Sequence, residues 1–408
     1  MRRVAVCHAR QLQLIQGADV PAALPAAYTP EAARGFQVQR IVLARGSLAT
    51  AEREAFVRRI CAAYPHVPVE ERLDLPHNRV ELGEPDSVRR IMQGKRTLVF
   101  GEIALKSAVY ENRHQGGMYP HERFFSVYGY CAYSCAYCYL NATPLAAFSP
   151  AVRVYVNLPE IAADIARQSM QAARPIGFYL GKMQDGLALD PLTHYSPALG
   201  AFFARHPYAR QIIQTKAADV RALLNAEHGG HTAIAWTLTP EPIARRYEPT
   251  APPTEERLAA MARCAQAGYP VGANLAPLIL EDNWEDLYFD LIRTLLDRVA
   301  VRRIYLGGMY LKRLSRRFFN EQTSSWRGAA DGQNGDWCRT HGGRVLSYRQ
   351  GYGRAFFRRI HEYVQRRYRC RFEYGDVNGG SLVVRFSHGQ GYRLFPDCPE
   401  GGYDSAAT

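Results

Sequence analysis

The sequence predicts an α/β protein whose main part is an incomplete (β/α)6 barrel of the TIM type, with a small N-terminal α/β module and a basic C-terminal segment. Two observations predict this class. Short apolar segments alternate with amphipathic helical patterns from about residue 125 to residue 308, and a shorter alternation precedes them. Such alternation favours a parallel sheet with right-handed crossovers. About six units suit an incomplete barrel, and an open doubly wound sheet is the alternative.

The elements before residue 126 predict an extension and a small module. Residues 1–35 are rich in Ala and Pro and are expected to pack poorly. The segment 36–44 is typical of a strand, because it carries β-branched residues and no helix breaker. A helical pattern follows, and the apolar segment 97–103 is a second strand. The predicted α/β module therefore spans 36–125.

The repeated strands and helices of the predicted barrel lie within residues 126–320. Asn157 with Pro159, and Thr254 before two acids, are typical of helix N-termini. Because such barrels carry their chemistry at the carboxyl ends of the strands, residues that follow the strands are the candidates for function. The predicted strands are 152–156, 176–181, 210–216, 232–238, 269–279 and 301–308.

Residues 321–408 are predicted to form a basic region with a loop or hairpin, a helix, a short β-like piece and a flexible tail. Residues 301–371 contain 17 Arg and Lys against four acids. This segment alone therefore has a net charge of +13, as the whole chain does, and the rest of the chain is close to neutral. Such a field attracts polyanions, of which nucleic acid is the commonest. A merely well-solvated surface is the alternative interpretation.

The composition argues against membrane and secreted classes. The chain is 47% apolar and 22% charged, as globular domains are. No apolar run approaches the roughly 20 residues that cross a bilayer, and polar residues interrupt the N-terminus too early for a signal peptide. Nine cysteines, an odd number without secretory context, argue against a disulfide framework. The expected location is the cytoplasm, without a membrane partner.

Three cysteines, Cys131, Cys135 and Cys138, form a CxxxCxxC motif. One short loop with this spacing can bind three irons of a [4Fe–4S] cluster through thiolates, the ligands that such clusters prefer. The fourth iron then stays open for the amino and carboxylate groups of S-adenosylmethionine (SAM), whose reductive cleavage would release a 5′-deoxyadenosyl radical. A structural zinc site is the alternative and needs a fourth ligand, for which His114 or His121 is available.

Around this motif the chain resembles the radical SAM superfamily and, within it, the spore photoproduct lyase family. The resemblance rests on Cys131-x3-Cys135-x2-Cys138-Tyr139-Leu140, on VRVYVNLPEI and on YEPTAPPTEERLAAMARCAQAGYPVGANLAPLILEDNWED. It extends from about residue 36 to about residue 374. It implies an incomplete barrel, a [4Fe–4S] cluster, SAM as a radical source, a DNA substrate and an electron donor of the flavodoxin or ferredoxin type. In that family the radical abstracts hydrogen from a methylene-bridged thymine dimer, which fragments to two thymines.

The resemblance also implies roles for single residues. Tyr137 and Tyr139 match a tyrosine pair proposed to relay a hydrogen atom. Each position has an ordinary structural interpretation as well, such as loop capping or packing of the barrel wall. The residues that match positions around SAM are Asp185, Lys216, Thr237 and Ala276.

One position departs from the family pattern. The lyases have a cysteine after the strand equivalent to 176–181, and this thiol returns a hydrogen atom to the product radical. Here Lys182 occupies that position, and an ammonium cannot donate a hydrogen atom as a thiol does. Cys338 is the candidate for a replacement thiol, although an ordinary loop cysteine is the favoured interpretation. Lys182 is suited instead to binding a phosphate or a carboxylate as a point charge.

The leading hypothesis is therefore a radical SAM enzyme acting on a nucleic-acid or nucleotide substrate. Aromatic residues such as Trp326, Trp337 and Tyr348 could wedge beside an unstacked base. The same chemistry on a peptide or a biosynthetic small molecule is one alternative, and a DNA-binding iron–sulfur protein that senses redox state is another. The candidate phosphate-binding residues are Lys312, Arg313, Arg316, Arg317, Arg354, Arg358 and Arg359.

Overall fold

The computed structural model describes residues 24–111, 123–143, 149–322, 337–340, 345–348, 353–375, 381–387 and 395. The strands in chain order are β1 Arg40–Ala44, β2 Val69–Arg72, β3 Thr97–Gly101, β4 Val109–Glu111, β5 Arg123–Phe125, β6 Tyr128–Gly129, β7 Val152–Tyr155, β8 Ile176–Leu180, β9 Ala209–Thr215, β10 Thr232–Thr237, β11 Val271–Leu275, β12 Arg303–Gly307, β13 Tyr310–Lys312, β14 Trp337–Thr340, β15 Val345–Tyr348, β16 Cys370–Gly375 and β17 Ser381–Phe386.

The helices lie mostly between these strands, as the alternating pattern predicts. In chain order they are α1 Ala51–Ala62, α2 Ser87–Gly94, α3 Leu105–Ala108, α4 Leu158–Ala172, α5 Asp190–Thr193, α6 Tyr195–Arg205, α7 Arg221–Leu224, α8 Glu241–Tyr247, α9 Thr254–Gln266, α10 Trp284–Arg298, α11 Arg313–Gln322 and α12 Arg354–Gln365. A single 3₁₀ turn, Tyr139–Ala142, follows the cysteine motif within the described residues. No helix of the described part is long and apolar enough to cross a membrane.

The larger sheet has nine strands in the order β16-β17-β12-β11-β10-β9-β8-β5-β4. Its six central strands, from β12 to β5, all run parallel to their neighbours. Antiparallel strands complete the two ends, β4 at one and the β17–β16 pair at the other. The predicted α/β class with a parallel sheet is therefore confirmed.

The two faces of this sheet pack differently, because successive side chains of a strand point to opposite sides. On one face, Phe178 of β8 packs against Phe203 of α6, with ring centroids 6.3 Å apart. On the other face, the next residue, Tyr179, contacts Phe124 of β5 at 5.7 Å. Phe395, far along the chain, is buried in the cluster on this second face. The helices thus cover the first face and leave the second to a small aromatic cluster.

The smaller sheet joins the N-terminal module to the cysteine motif. Its order is β2-β1-β3-β7-β6, parallel except for β6. Strand β7, which the sequence pattern groups with the barrel units, pairs here with β3, and β5 of the larger sheet precedes it in the chain. The strands of the two sheets therefore interleave along the chain between residues 109 and 155. An apolar alternating strand does not encode which sheet edge it will join.

Segments near both ends of the described part of the chain contact the two sheets and their helices. Leu24 and Ala33 are buried, and the ring of Tyr28 stacks on His194 at 4.9 Å, so residues 24–35 are anchored at these points although most of their side chains are exposed. Near the other end, β17 pairs with β12 and protects what would otherwise be an open sheet edge. The predicted tail beyond residue 387 lies outside the described residues, apart from Phe395.

A prediction concerns Asn157, whose side chain joins the ends of β7 and β3. Its Nδ2 donates to the Ile103 carbonyl at 2.9 Å, and its Oδ1 accepts from the Ile103 N–H at 3.1 Å. Asn157→Asp removes the donor and leaves a buried carbonyl unpaired, which costs about 1–3 kcal/mol of the free energy of unfolding. Urea unfolding measures this loss. Asn78→Asp, at an exposed turn, is the control and should unfold as wild type does; equal midpoints for the two variants would contradict the prediction.

Candidate active site

The cysteine motif lies on a loop that leaves β6 and is held by distant residues. Tyr130 has a positive φ of 63°, which turns the chain out of the strand before Cys131. The Ser134 N–H donates to the Thr250 hydroxyl at 2.7 Å. The Ala136 N–H donates to the Tyr247 carbonyl at 2.9 Å. The end of helix α8 and the turn after it therefore fix the loop in place.

A buried lysine supports the same loop from the N-terminal module. Lys95 Nζ donates to the carbonyls of Cys131 and Tyr133, both at 2.6 Å, and lies 4.3 Å from the ring centroid of Tyr130. Bonds from a charged donor are stronger than neutral ones. Sequence reasoning missed Lys95, because a single lysine at a helix end carries no motif.

The three thiols of the motif differ in burial. Cys135 is buried, and Cys131 and Cys138 are partly exposed. Burial raises the pKa of Cys135 to about 12 and that of Cys131 to about 11, so both must lose a proton on binding iron. No three His, Cys, Asp or Glu side chains of the described residues converge on one metal ion. His114 and His121 lie outside the described residues.

Asp185 ties together two strand ends next to this loop. Its Oδ1 accepts hydrogen bonds from the N–H groups of Leu187 at 3.0 Å and Ala188 at 2.9 Å, and from the Thr215 hydroxyl at 2.6 Å. Its Oδ2 accepts from the Lys216 N–H at 2.7 Å. The carboxylate thus sets the backbone at the carboxyl ends of β8 and β9, and it places Lys216.

Lys216 faces a buried ionic cluster that the sequence did not reveal. Its ammonium is 3.9 Å from Glu248, and Arg257 Nη2 is 2.5 Å from the other oxygen of Glu248, an ion pair without hydrogen-bond alignment. Glu248 also accepts from the hydroxyls of Tyr137 and, at 2.9 Å, Thr239. Burial raises the pKa of Glu248, but the two cations outweigh burial and leave it below its usual value. The positive charge of Lys216 opposes the rise in the pKa of Cys135 that burial causes, so the ammonium lies near the cysteine loop.

The other two positions matched to SAM lie at neighbouring strand ends. Thr237 is the last residue of β10, and its hydroxyl accepts from Gln214 Nε2 at 3.1 Å. Ala276 directly follows β11 and is partly exposed. Because β9, β10 and β11 are parallel neighbours, Lys216, Thr237 and Ala276 lie along one edge of the sheet. The structure thus brings the cysteines and the SAM-matched positions to the same edge.

The two tyrosines of the predicted relay have different surroundings. Tyr137 is buried and donates to Glu248. Tyr139 is 50% exposed, and its hydroxyl donates to the main-chain oxygen of Lys182. Only Tyr139 is therefore open to solvent.

The predicted nucleic-acid residues divide into paired and exposed groups. Arg317 pairs with Asp86 at 2.6 Å and Glu321 at 2.7 Å, and Arg359 pairs with Asp286 at 2.7 Å. Arg354 and Arg358 are exposed on α12, and Arg316 is half-buried on α11. For Lys312 and Arg313 the structure describes the backbone alone, in β13 and at the start of α11.

Cys338 lies on a small separate sheet, for which the backbone alone is described. Its strand β14 pairs antiparallel with β15, which pairs with β13 close after β12. Cys338 is opposite Ser347, which is opposite Tyr310. Trp337 and Tyr348 lie on the same strands as a facing pair, and Trp326 is outside the described residues.

A cleft of about 770 Å³ opens behind the cysteine loop. Ser134, between two of the cysteines, lines it together with Lys95 and the exposed Arg96 of the N-terminal module. Arg245 and Glu241 of α8 also line it. Glu248 and Arg257 line it as well, so the cleft extends to the ionic cluster next to Lys216.

A prediction concerns Lys95. Replacing it by Met removes both hydrogen bonds to the carbonyls of the cysteine loop, so the thiols lose their fixed positions. Residues that orient metal ligands change metal affinity by about 10–100-fold, and we expect Lys95→Met to lose iron on desalting after reconstitution to that degree. Iron per chain and visible absorbance measure the loss. Lys106→Met, at an exposed lysine, is the control and should retain iron; equal retention by both would show that Lys95 does not support the cluster.

Comparisons with known proteins show which family this chain is similar to. The family model described as "Spore photoproduct lyase" matches residues 49–320. A spore photoproduct lyase of Geobacillus sp. (strain Y412MC61) is 33% identical over 166 residues, 40% of this chain and 48% of the relative. The lyase of Bacillus subtilis (strain 168) is 27% identical over 235 residues, 57% of this chain and 66% of the relative. The chain thus spans about half to two thirds of the length of these relatives.

A solved structure shows the same fold. It is a mutant spore photoproduct lyase with bound AdoMet and dinucleoside spore photoproduct, and it matches with a TM-score of 0.69 at 22% identity. The match covers 82% of this chain and 97% of that one. At this identity the likeness establishes the fold of the chain, and the bound molecules are those of the neighbour.

Proposed function

Because this chain belongs to the spore photoproduct lyase family, a family of radical SAM enzymes, we propose that it is a radical SAM lyase acting on a pyrimidine lesion of nucleic acid or on a nucleotide. The observation that supports this most is the loop of Cys131, Cys135 and Cys138, fixed at the edge where β9, β10 and β11 end. We further propose that the six parallel strands curve into an incomplete barrel, with the helices outside and the aromatic cluster of Phe124, Tyr179 and Phe395 inside.

The proposed cofactors are a [4Fe–4S] cluster on the three cysteines and SAM beside it. When bound, they supply a 5′-deoxyadenosyl radical. In this proposal Lys216 holds the carboxylate of SAM, and the buried carboxylate of Glu248, 3.9 Å from the ammonium, orients its side chain. Thr237 and Ala276 would line the adenosyl side. Asp185 acts on the backbone, since its four hydrogen bonds hold both strand ends.

The proposed substrate follows from the neighbour and from the surface charge. The similar solved structure binds a dinucleoside spore photoproduct, which supports a DNA lesion. Exposed arginines of α12, Arg354 and Arg358, supply phosphate contacts in this proposal. Lys182 does not return a hydrogen atom, and Cys338 and Tyr139 are the proposed donors. Tyr139 is the favoured hydrogen-atom donor, because its ring is exposed and its hydroxyl donates a hydrogen bond to the main-chain oxygen of Lys182.

We propose that the electron donor, a flavodoxin or ferredoxin, approaches through the cleft behind the cysteine loop. Ser134 lines this cleft and is adjacent in sequence to Cys135, so an electron would cross only a short span of backbone. The exposed Arg96 at its rim suits an acidic partner.

The departure at Lys182 favours a second candidate function, radical SAM chemistry on a peptide or a biosynthetic small molecule. A redox-sensing DNA-binding protein is the third candidate. Stimulation of SAM cleavage by irradiated DNA separates the first from the second, and SAM cleavage itself eliminates the third.

The central test is anaerobic SAM cleavage. We expect the reconstituted protein with SAM and dithionite to form 5′-deoxyadenosine, measured by chromatography, and UV-irradiated DNA to stimulate it. Cys135→Ala removes one of the three cluster ligands and should abolish the product. Cys61→Ala, outside the motif and partly exposed, is the matched control and should keep it. No 5′-deoxyadenosine from a protein shown to carry its cluster would refute the proposed function.

A further prediction concerns DNA affinity. Arg358 is exposed on α12, and a phosphate contact there contributes about one unit to the slope of log K against log salt. Arg358→Ala should weaken binding of double-stranded DNA and reduce the slope by about one. Arg245→Ala, an exposed helix arginine at the cleft, is the control and should leave the slope unchanged. Fluorescence anisotropy at several salt concentrations measures both; identical slopes for the two variants would remove α12 from the DNA surface.

A further inference from the structure

The loop after β8 carries two polar side chains whose interactions are incomplete. Lys182 is half-buried, and its ammonium lies 3.9 Å from the ring centroid of Phe124 and 6.0 Å from that of Tyr110. No carboxylate of the described residues forms an ion pair with it. Burial lowers the pKa of Lys182, so the protein environment disfavours its charged form. Aromatic rings replace only part of the hydration that a buried ammonium loses.

The second side chain is Gln184, two residues further along the same loop. It is only 4% exposed, and neither its Nε2 nor its Oε1 has a hydrogen-bond partner in the structure. A buried amide without partners is costly, and such groups in folded proteins call for a ligand or ordered water. Met183, between the two, packs against the cysteine loop instead.

The nearby acid does not compensate for Lys182. Asp185 uses both carboxylate oxygens on the backbone of 187 and 188, on Thr215 and on Lys216. The Tyr139 hydroxyl donates a hydrogen bond to the main-chain oxygen of Lys182, so this contact leaves the ammonium available for a ligand. The ammonium therefore faces the aromatic side of the sheet, opposite to the helices, without a counter-charge among the described residues.

We propose that Lys182 and Gln184 form a binding site for an anionic oxygen of the substrate, a phosphate or a carboxylate, next to the cofactor loop. The site rests on the proposed function, and it names the chemical class of the substrate. The anion pairs with Lys182, and neighbouring polar groups of the substrate satisfy the amide of Gln184. Phe124 and Tyr110 supply an apolar wall, which strengthens an ion pair by excluding water.

The test measures affinity of the reconstituted holoenzyme with SAM, without reductant, by anaerobic calorimetry. The ligands are the dinucleotide photoproduct with its phosphodiester and the matched dinucleoside without phosphate. We expect wild type to bind the dinucleotide about tenfold more tightly, as a charged hydrogen bond implies. Lys182→Met should lose that preference, Lys182→Arg should keep most of it, and Lys106→Met, the exposed control lysine, should match wild type.

Small anions identify the source of the anionic oxygen. Inorganic phosphate that competes with the ligand supports a nucleic-acid phosphate, and acetate that competes while phosphate does not supports a carboxylate-bearing substrate. The proposal is overturned if wild type binds both ligands equally and neither anion competes, or if Lys182→Met and Lys106→Met have the same affinities. Should Lys182→Met not retain its cluster, the comparison of ligands on wild type still decides.

The outcome is distinguishable from failure of the proposed function. Formation of 5′-deoxyadenosine by wild type tests the radical chemistry without reference to Lys182. Anion binding without 5′-deoxyadenosine would refute the function and keep the site. Product formation with no preference for a charged ligand would keep the function and refute the site.

Discussion

The site depends on one buried charge, the carboxylate of Glu248. It accepts a hydrogen bond from the hydroxyl of Tyr137 in the cysteine loop. It also forms an ion pair with Arg257 of α9 and lies 3.9 Å from the ammonium of Lys216, which follows β9. A buried carboxylate is costly unless it is paired and hydrogen-bonded, so all these elements must adopt their positions together. Removing one partner would leave an uncompensated charge in the core. The geometry of the cysteine loop is therefore coupled to that of the strand ends through electrostatics as well as packing.

Polar groups that act on backbone complete this arrangement. Lys95 holds two carbonyls of the cysteine loop, and Asp185 holds amides at the ends of β8 and β9. These bonds explain how a loop without regular structure can be fixed beside a parallel sheet. They also distinguish two kinds of side chain at the site: those of Asp185 and Lys95 are hydrogen-bonded by the protein itself, whereas the ammonium of Lys182 contacts aromatic rings alone and the amide of Gln184 has no hydrogen-bond partner among the described residues.

The sequence reveals those features that repeat or have fixed spacing. The βα alternation predicts the parallel sheet, and the CxxxCxxC motif predicts the loop at its edge. Lys95 and Glu248 could not be found this way. The hydrogen bonds that tie them to the cysteine loop, from Lys95 to Cys131 and from Tyr137 to Glu248, join residues more than 35 positions apart. For the same reason the pairing of β7 with β3 was not predictable: its apolar alternation fits either sheet. Register and sheet membership are set by tertiary contacts that short patterns do not contain.

The loop from residue 181 to residue 185 connects the two halves of the proposed chemistry. At its start, the main-chain oxygen of Lys182 accepts from Tyr139, one residue after Cys138. At its end, the carboxylate of Asp185 accepts a hydrogen bond from the main-chain N–H of Lys216. A substrate anion bound at Lys182 therefore acts on a segment tied at one end to the cluster loop and at the other to the SAM-matched lysine. Because five residues span all three positions, the proposed anion site and the proposed cofactor positions share one short backbone segment, through which substrate binding would be coupled to cofactor geometry.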